Sequence, residues 1–269
     1  MPELPEVETT ARGIAPHLLG QQISALNVRQ PQLRYPVPAA LQQLVGQTIT
    51  AIRRRGKYLV LTTPAGSAII HLGMSGRLRL MSSELPLLPH DHLQLQLADG
   101  NQLRYHDPRR FGAWLWSQTP DQHPLLASLG PEPLDDAFNA LYLQQRAAKR
   151  TLTIKSLIMD SKVVVGVGNI YACEALFRAA ILPQRAACSL NAEQFQQLEI
   201  CIKAVLSEAI AQGGTTLRDY VDAKGNPGYF AVALAVYGRE GKPCPKCGEL
   251  IQRQIQAQRS TFFCRHCQQ

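Results

Sequence analysis

The chain begins Met1-Pro2-Glu3-Leu4-Pro5-Glu6. Removal of Met1 leaves a proline with a free secondary amine, and such an amine is a nucleophile towards carbonyl-like carbon. An α-amino group titrates near about 7.7 to 8, so part of it is neutral where an ordinary lysine is charged. The adjoining Glu3 carboxyl is placed to hand over a proton. The same residues also suit plain helix initiation. Pro5 fits a first helical turn, Glu6 and Glu8 favour the positive helix end, and Val7, Ala11, Ile14 and Leu18 recur at helical spacing up to Gly20. On these residues alone, helix initiation is the commoner explanation.

At the other end of the chain, Cys244-Pro-Lys-Cys247 and Cys264-Arg-His-Cys267 form two CxxC pairs separated by 16 residues. Four thiolates at this spacing suit one tetrahedral zinc ion, and a shell closed by sulfur leaves no open position, so the site is expected to be structural. Between the pairs, residues 251–255 and 260–263 read as strands joined around Ala257-Gln258-Arg259. A clamped hairpin would hold Arg259 at its tip, where a guanidinium can meet phosphate. Cys173, Cys188 and Cys201 stand alone in helical patterns and are expected to pack as small apolar residues.

Two glycine-flanked turns carry apolar side chains: His71-Leu-Gly-Met74-Ser-Gly76 and Asp107-Pro-Arg109-Arg110-Phe111-Gly112. A protein that extrudes a base must fill the gap it leaves, and an apolar wedge beside a guanidinium does so by stacking and by hydrogen bonding to the orphaned partner. The commoner fate of Phe or Met is burial in the core. Val165-Gly-Val-Gly-Asn169 leads into a helical pattern with Asn169 as its natural N-cap. With Lys155 in the short helix before it, this arrangement suits a phosphate clamp.

The scaffolds for these residues differ along the chain. From Ile23 to about Trp116 the pattern is short and β-rich, with connections at Pro64-Ala65-Gly66 and Asp99-Gly100-Asn101. Alternation in His92–Leu97 predicts a strand with one buried and one wet face. After Gly130-Pro131-Glu132-Pro133, read as a linker, helical periodicity takes over. Residues 138–148 and 153–160 are short helices. A long helix opens at Asn191 with Gln194, carries Phe195, Leu198, Ile202, Val205, Leu206 and Ala209 as its stripe, and ends at Gly213-Gly214.

Length and composition fit a globular protein of more than one domain: 269 residues, 45% of them apolar, and no apolar run near the roughly 20 residues that span a bilayer. No secretory pattern precedes the first helix, so a cytoplasmic protein with reduced thiols is expected. The net charge is +8, and residues 236–269 hold six basic against two acidic side chains, half of that excess. A concentrated basic terminus suggests a polyanion partner, with nucleic acid the usual one.

The segments PELPEVE, GKYL, HLGMSG, DPRRFG, GVGNIYA and GGTTLRDY, followed by the paired CxxC motifs, together resemble the bacterial formamidopyrimidine-DNA glycosylase family, in order and over residues 2–267. The resemblance implies an α+β multidomain protein: an N-terminal β-sandwich with an N-terminal helix (1–132), a helix–two-turn–helix domain (133–235) and a C-terminal zinc-finger β-hairpin (236–269), with duplex DNA held between domains. It implies a bifunctional glycosylase and AP lyase for oxidised purines, one structural zinc ion, no nucleotide cofactor, damaged double-stranded DNA as partner, no membrane, a monomer, and work on the bacterial nucleoid. Pro2 would be the nucleophile, Glu3 the acid, Glu6 a supporting group, Lys57 an acid–base residue and Arg259 a group acting on phosphate during elimination. His90, Arg109, Arg150, Lys155 and Asn169 would contact DNA. Met74, Arg109 and Phe111 would fill the void, and residues 215–230 would close over the flipped base.

Two alternatives stay open at this point. An endonuclease VIII-type enzyme shares the proline and the zinc finger but acts on oxidised pyrimidines; Met74, Arg109, Phe111 and the ELPEVE opening favour the purine enzyme. A non-catalytic zinc-dependent damage-binding protein would bind DNA without forming a covalent adduct.

Overall fold

Leu4–Leu18 forms the expected first helix, α1, in a computed structural model that describes residues 2–213 and 234–269. Its start is set by a capping box in which Glu3 is the N-cap and the Glu3 backbone N–H donates to Glu6 Oε2 at 2.8 Å. Val7, Ala11, Ile14 and Leu18 are all buried on one stripe, so tertiary packing of that face holds the helix more than propensity does.

Eight strands follow: β1 (Ile23–Val28), β2 (Ala51–Arg55), β3 (Tyr58–Thr63), β4 (Gly66–His71), β5 (Arg77–Ser82), β6 (Asp91–Leu97), β7 (Asn101–His106) and β8 (Ala113–Ser117). They build two antiparallel four-stranded sheets, ordered β1-β6-β7-β5 and β2-β3-β4-β8. Leu26, Leu93, Leu95 and Leu103 of the first sheet meet Leu59, Leu61, Ile70 and Trp114 of the second in one core, shared with the α1 stripe. This is the expected β-sandwich. The β3–β4 connection needs its glycine: Gly66 has φ +148°, and a Cβ there would lie 2.5 Å from the Trp116 ring.

The wet face expected for β6 is absent. His92 and Gln94 are buried along with Leu93 and Leu95. β6 is a central strand, and the segment after β5 closes over the polar side of its sheet. Buried Arg104 on β7 donates to the carbonyls of Leu85 and Pro86. Alternation marks the two faces correctly but cannot show that a later-docked segment covers one of them.

The chain divides into two compact units, one built on residues up to Ala127, including the short helix α2 (Pro124–Ala127), and the other on Ser128–Gln212 with the segment from 234 onward. Gly130 and Pro131, read as linker, are tied into the second unit by Gly130 N–H to Ser161 O (2.8 Å) and Val165 N–H to Pro131 O (3.1 Å). That unit contains α3 (Ala140–Ala147), α4 (Ile154–Met159), α5 (Asn169–Arg178) and α6 (Ala192–Ala211). Asn191 and Gln194 form the expected capping box of α6, and the six apolar residues of its stripe are all buried. They pack with Leu143 of α3, Leu157 of α4 and Leu176 of α5.

A hairpin of β9 (Gln252–Gln256) and β10 (Arg259–Phe263) completes the second unit. Its Ile251, Phe262 and Cys264 share a small core with Cys173 and Phe177 of α5. Among the isolated cysteines, Cys173 and Cys201 are buried as expected, but Cys188 is exposed, because it sits in a short 3-10 turn, Ala187–Ser189, at the surface. No helix among the described residues is long and apolar enough to cross a membrane.

Candidate catalytic and nucleic-acid site

In the first unit, Pro2 directly precedes the N-cap of α1, and Glu3 is 3% exposed. The start of α1 is tied to the strands by charge. Glu8 accepts from Arg54 Nε and from Arg12 Nε, both at 2.8 Å, and Arg54 Nη1 donates to Gly56 O at 3.1 Å. Burial pushes the Glu8 carboxyl up, but the hydrogen bonds from Arg54 and Arg12 more than reverse this and hold it below its usual value. The helix bearing Pro2 and Glu3 and the Gly56-Lys57 turn between β2 and β3 are therefore braced by one ion-pair chain.

Tyr58, next to Lys57, packs its ring against that of His71, centroids 4.8 Å apart and planes tilted by 53°, in register across β3 and β4. His71 Nδ1 accepts the Gly73 N–H at 3.0 Å and so supports the turn carrying Met74. Burial first, then the positive charges of Arg34 and Lys57, hold the imidazole down at about 4, so it is neutral in this acceptor role at physiological pH.

Met74 and Phe111 are not core residues. They are 42% and 45% exposed, on the turns after β4 and before β8. The Arg109 guanidinium lies over the Phe111 ring at 4.9 Å from its centroid, which keeps the two side chains together. His90 is exposed at φ +71°, with its ring 6.1 Å and 6.0 Å from those of His92 and His106.

The second unit brings Lys155 and Asn169 together. Lys155 Nζ donates to Asn169 Oδ1 and Thr261 Oγ1, each at 2.6 Å, and Asn169 Nδ2 donates to Ser260 O at 2.9 Å. The Lys155 side chain is 2% exposed, so its charge is set into a polar cradle and does not stand out from the surface. This engagement explains a difference in α5: Gly168, not Asn169, is the N-cap, because the Asn169 amide is committed to Lys155 and β10. Lys155, Gln256 and Arg259 line one shallow cavity of about 160 Å³. Arg259 itself is exposed, just after the turn formed by Ala257 and Gln258 at φ +45° and +61°. Arg150 is partly buried beyond α3, behind Lys149 at φ +62°. Met1 and residues 215–230 lie outside the described residues.

The four paired cysteines converge, with all Sγ atoms within 4.8 Å of one another. Cys244 and Cys267 are 3.9 Å apart and Cys247 and Cys264 3.5 Å, close to the edge of about 3.8 Å for a tetrahedron with Zn–S bonds of about 2.3 Å. Burial raises the Cys244 thiol, but backbone N–H bonds from Lys246 and Cys247 bring it down to about 7. Burial and the neighbouring thiols push Cys267 up to about 12. Four sulfurs this close cannot all ionise unaided, and a dication removes that penalty; the donor set fits zinc.

Several residues of the site gave no sequence signal of their role. Asp107 is wholly buried beneath the Arg109–Phe111 turn. Thr261 cradles Lys155 from 106 residues away. Buried Glu174 accepts the N–H groups of Ala235, Val236 and Tyr237 at 2.8–2.9 Å and anchors the chain leading to the finger. A glutamate among apolar residues in Tyr171–Phe177 was the one available hint.

Comparison with known proteins finds three family models in order: "Formamidopyrimidine-DNA glycosylase N-terminal domain" over residues 1–114, "Formamidopyrimidine-DNA glycosylase H2TH domain" over 129–221, and "Zinc finger found in FPG and IleRS" over 241–269. The chain is 54% identical to a formamidopyrimidine-DNA glycosylase of Vibrio vulnificus and 56% identical to one of Klebsiella pneumoniae, with both chains covered in full. Among solved structures, it is similar to the MutM (Fpg) protein of Thermus thermophilus, at a TM-score of 0.90 and 42% identity over 99% of this chain and 98% of the other. It is also similar to Lactococcus lactis Fpg in complex with abasic-site DNA, at a TM-score of 0.92 and 36% identity over 99% of each chain.

Proposed function

The chain belongs to the formamidopyrimidine-DNA glycosylase family, and on that premise we propose how its own residues divide the work of excising oxidised purines from duplex DNA. Residues 1–132 do the chemistry, and 133–235 and 236–269 grip the duplex, on the nucleoid when DNA is bound. With Met1 removed, the Pro2 nitrogen attacks the sugar C1′ as the glycosidic bond breaks and its electron pair leaves with the base. Glu3 protonates the ring oxygen, which opens the sugar and leaves an iminium between Pro2 and C1′. β-Elimination then expels the 3′ phosphate and δ-elimination the 5′ phosphate.

Glu6 fixes the position of Glu3 through the backbone N–H it accepts. Lys57 serves acid–base steps near the lesion, and Arg259 orients phosphate, since a guanidinium rarely gives up its proton. Lys155, Asn169, His90, Arg109 and Arg150 hold DNA, while Met74, Arg109 and Phe111 fill the space of the extruded base. The four cysteines hold one zinc ion, which closes the finger carrying Arg259 and takes no part in the reaction.

The observation that carries this reading is the buried Glu3 carboxyl at the α1 N-cap, immediately beside the only residue whose backbone nitrogen becomes a free proline amine when Met1 is removed. Borohydride should trap a covalent adduct with a duplex carrying 8-oxoguanine opposite cytosine. Pro2→Leu, which keeps Met1 in place, should bind the duplex and trap nothing. Undiminished trapping by that variant would make another amine the nucleophile, and preferential cleavage of thymine glycol duplexes would move the substrate class to oxidised pyrimidines.

A further inference from the structure

The two turns bearing Met74 and Phe111 are joined through one buried carboxylate. Asp107 Oδ1 accepts the Ser75 hydroxyl at 2.7 Å, and Oδ2 accepts the Tyr105 hydroxyl at 3.0 Å and the Gly112 N–H at 2.9 Å. Ser75 Oγ in turn accepts the Arg109 N–H at 3.3 Å. The Asp107 backbone extends the connection: its N–H donates to His90 O at 3.0 Å, and its carbonyl accepts the Arg110 N–H at 3.1 Å and lies 2.8 Å from His92 Nε2. Burial, with the Asp107 charge beside it, raises the Tyr105 phenol, so that group stays protonated and donates.

Around this carboxylate the turns approach to backbone contact. A Cβ on Gly73, at φ +67°, would lie 2.4 Å from the carbonyl carbon of Phe111, and one on Gly112 would lie 1.6 Å from the Tyr105 hydroxyl. A carboxylate can accept at both oxygens from every side, whereas an amide of the same shape offers one acceptor and turns two N–H groups towards donors. The exposed Met74 and Phe111 side chains therefore stand on a base that is fixed from below.

We propose that Asp107 is a positioning residue for base extrusion, a clasp that joins the turns of Met74, Arg109 and Phe111 into one platform that enters the duplex as a unit. This rests on the reading of those three side chains as the void-filling set. Asp107 is wholly buried, so it acts through Phe111 and its neighbours and not by a contact of its own. Most of the grip on undamaged duplex comes from the phosphate contacts of Lys155, Asn169 and Arg150, which the clasp does not hold.

A double-mutant cycle between Asp107→Asn and Phe111→Ala tests the clasp. Three quantities are read: intact-duplex Kd, single-turnover excision of 8-oxoguanine, and the rate at which a 2-aminopurine beside the lesion brightens as the stack opens. Asp107→Asn should slow both excision and brightening about tenfold, the scale of lost hydrogen bonds to a charged group. It should leave intact-duplex Kd within about twofold, and in the Phe111→Ala background it should slow excision by no more than about threefold, since the wedge it positions is already gone. Losses that multiply in full, or a parallel loss of intact-duplex affinity, would overturn the clasp. If Asp107→Asn does not fold, Ser75→Ala carries the same cycle with the same expected and overturning results. A wild-type protein unable to excise 8-oxoguanine would sink the functional reading instead, which is a different result from an active enzyme with fully multiplying losses.

Discussion

The Glu3 side chain is enclosed at the N-cap of α1, so Glu3→Gln changes little in shape while removing an acid. Single-turnover excision should fall by at least about a hundredfold, with damaged-duplex binding retained; wild-type turnover would remove Glu3 from the mechanism. His71 makes a second residue-level prediction, through pH. Its imidazole moves from an ordinary value of 6.5 to about 4 in the fold, so between those values the unfolded chain binds more protons. The stability it contributes is complete above about pH 6.5 and is lost as pH falls towards 4, amounting to about 3 kcal/mol at most. Urea unfolding of His71→Gln should show a flatter stability curve over that window than the wild type; identical curves would count against the depressed value.

At the scale of elements, the zinc hairpin and the α4–α5 pair form one polar unit, because Thr261 and Ser260 on β10 hold Lys155 and Asn169, the residues proposed to grip phosphate. Lys155→Ala should weaken binding to damaged and intact duplexes about equally. Its log K against log salt slope should be shallower by about 0.9, the contribution of one phosphate contact. Stripping zinc from the wild-type protein should produce a similar change of slope, since β10 then no longer organises the lysine. Fluorescence anisotropy across a salt series measures both. An unchanged slope after zinc removal would show that the cradle stands without the finger.

For the whole molecule, the division into two units predicts where damage stays confined. The core of the finger is continuous with Cys173 and Phe177 of α5, whereas the sandwich around Trp114 and Leu95 is closed on itself. Cys247→Ser should weaken the four-sulfur site, lower the calorimetric transition of the helical unit and impair DNA binding. The transition belonging to the sandwich should be unmoved. A single transition shifted as a whole would mean that the units do not unfold independently.

The first helix, the sandwich strands, the α6 stripe and the zinc ligands were legible in the sequence because each depends on local spacing: 3.6 residues per turn, alternation, or two CxxC pairs. The opening Pro2-Glu3, the glycine-flanked turns of Met74 and Phe111, and Asn169 could be singled out as candidates, and the resemblance ordered them into roles. What tertiary structure alone decided depends on partners far apart in the chain. The polar face of β6 is dry because the segment bearing Leu85 and Pro86 folds over it and satisfies Arg104. Asn169 surrenders the cap to Gly168 because β10, some ninety residues later, offers its amide a carbonyl. Lys155 is buried because Asn169 and Thr261 accept hydrogen bonds from its ammonium within the fold, and Asp107 becomes a hub only when β4, β7 and β8 bring Ser75, Tyr105 and Gly112 to its two oxygens. Buried polar groups persist only where hydrogen-bond partners converge on them, and that convergence is a property of the folded chain, not of any local stretch of sequence.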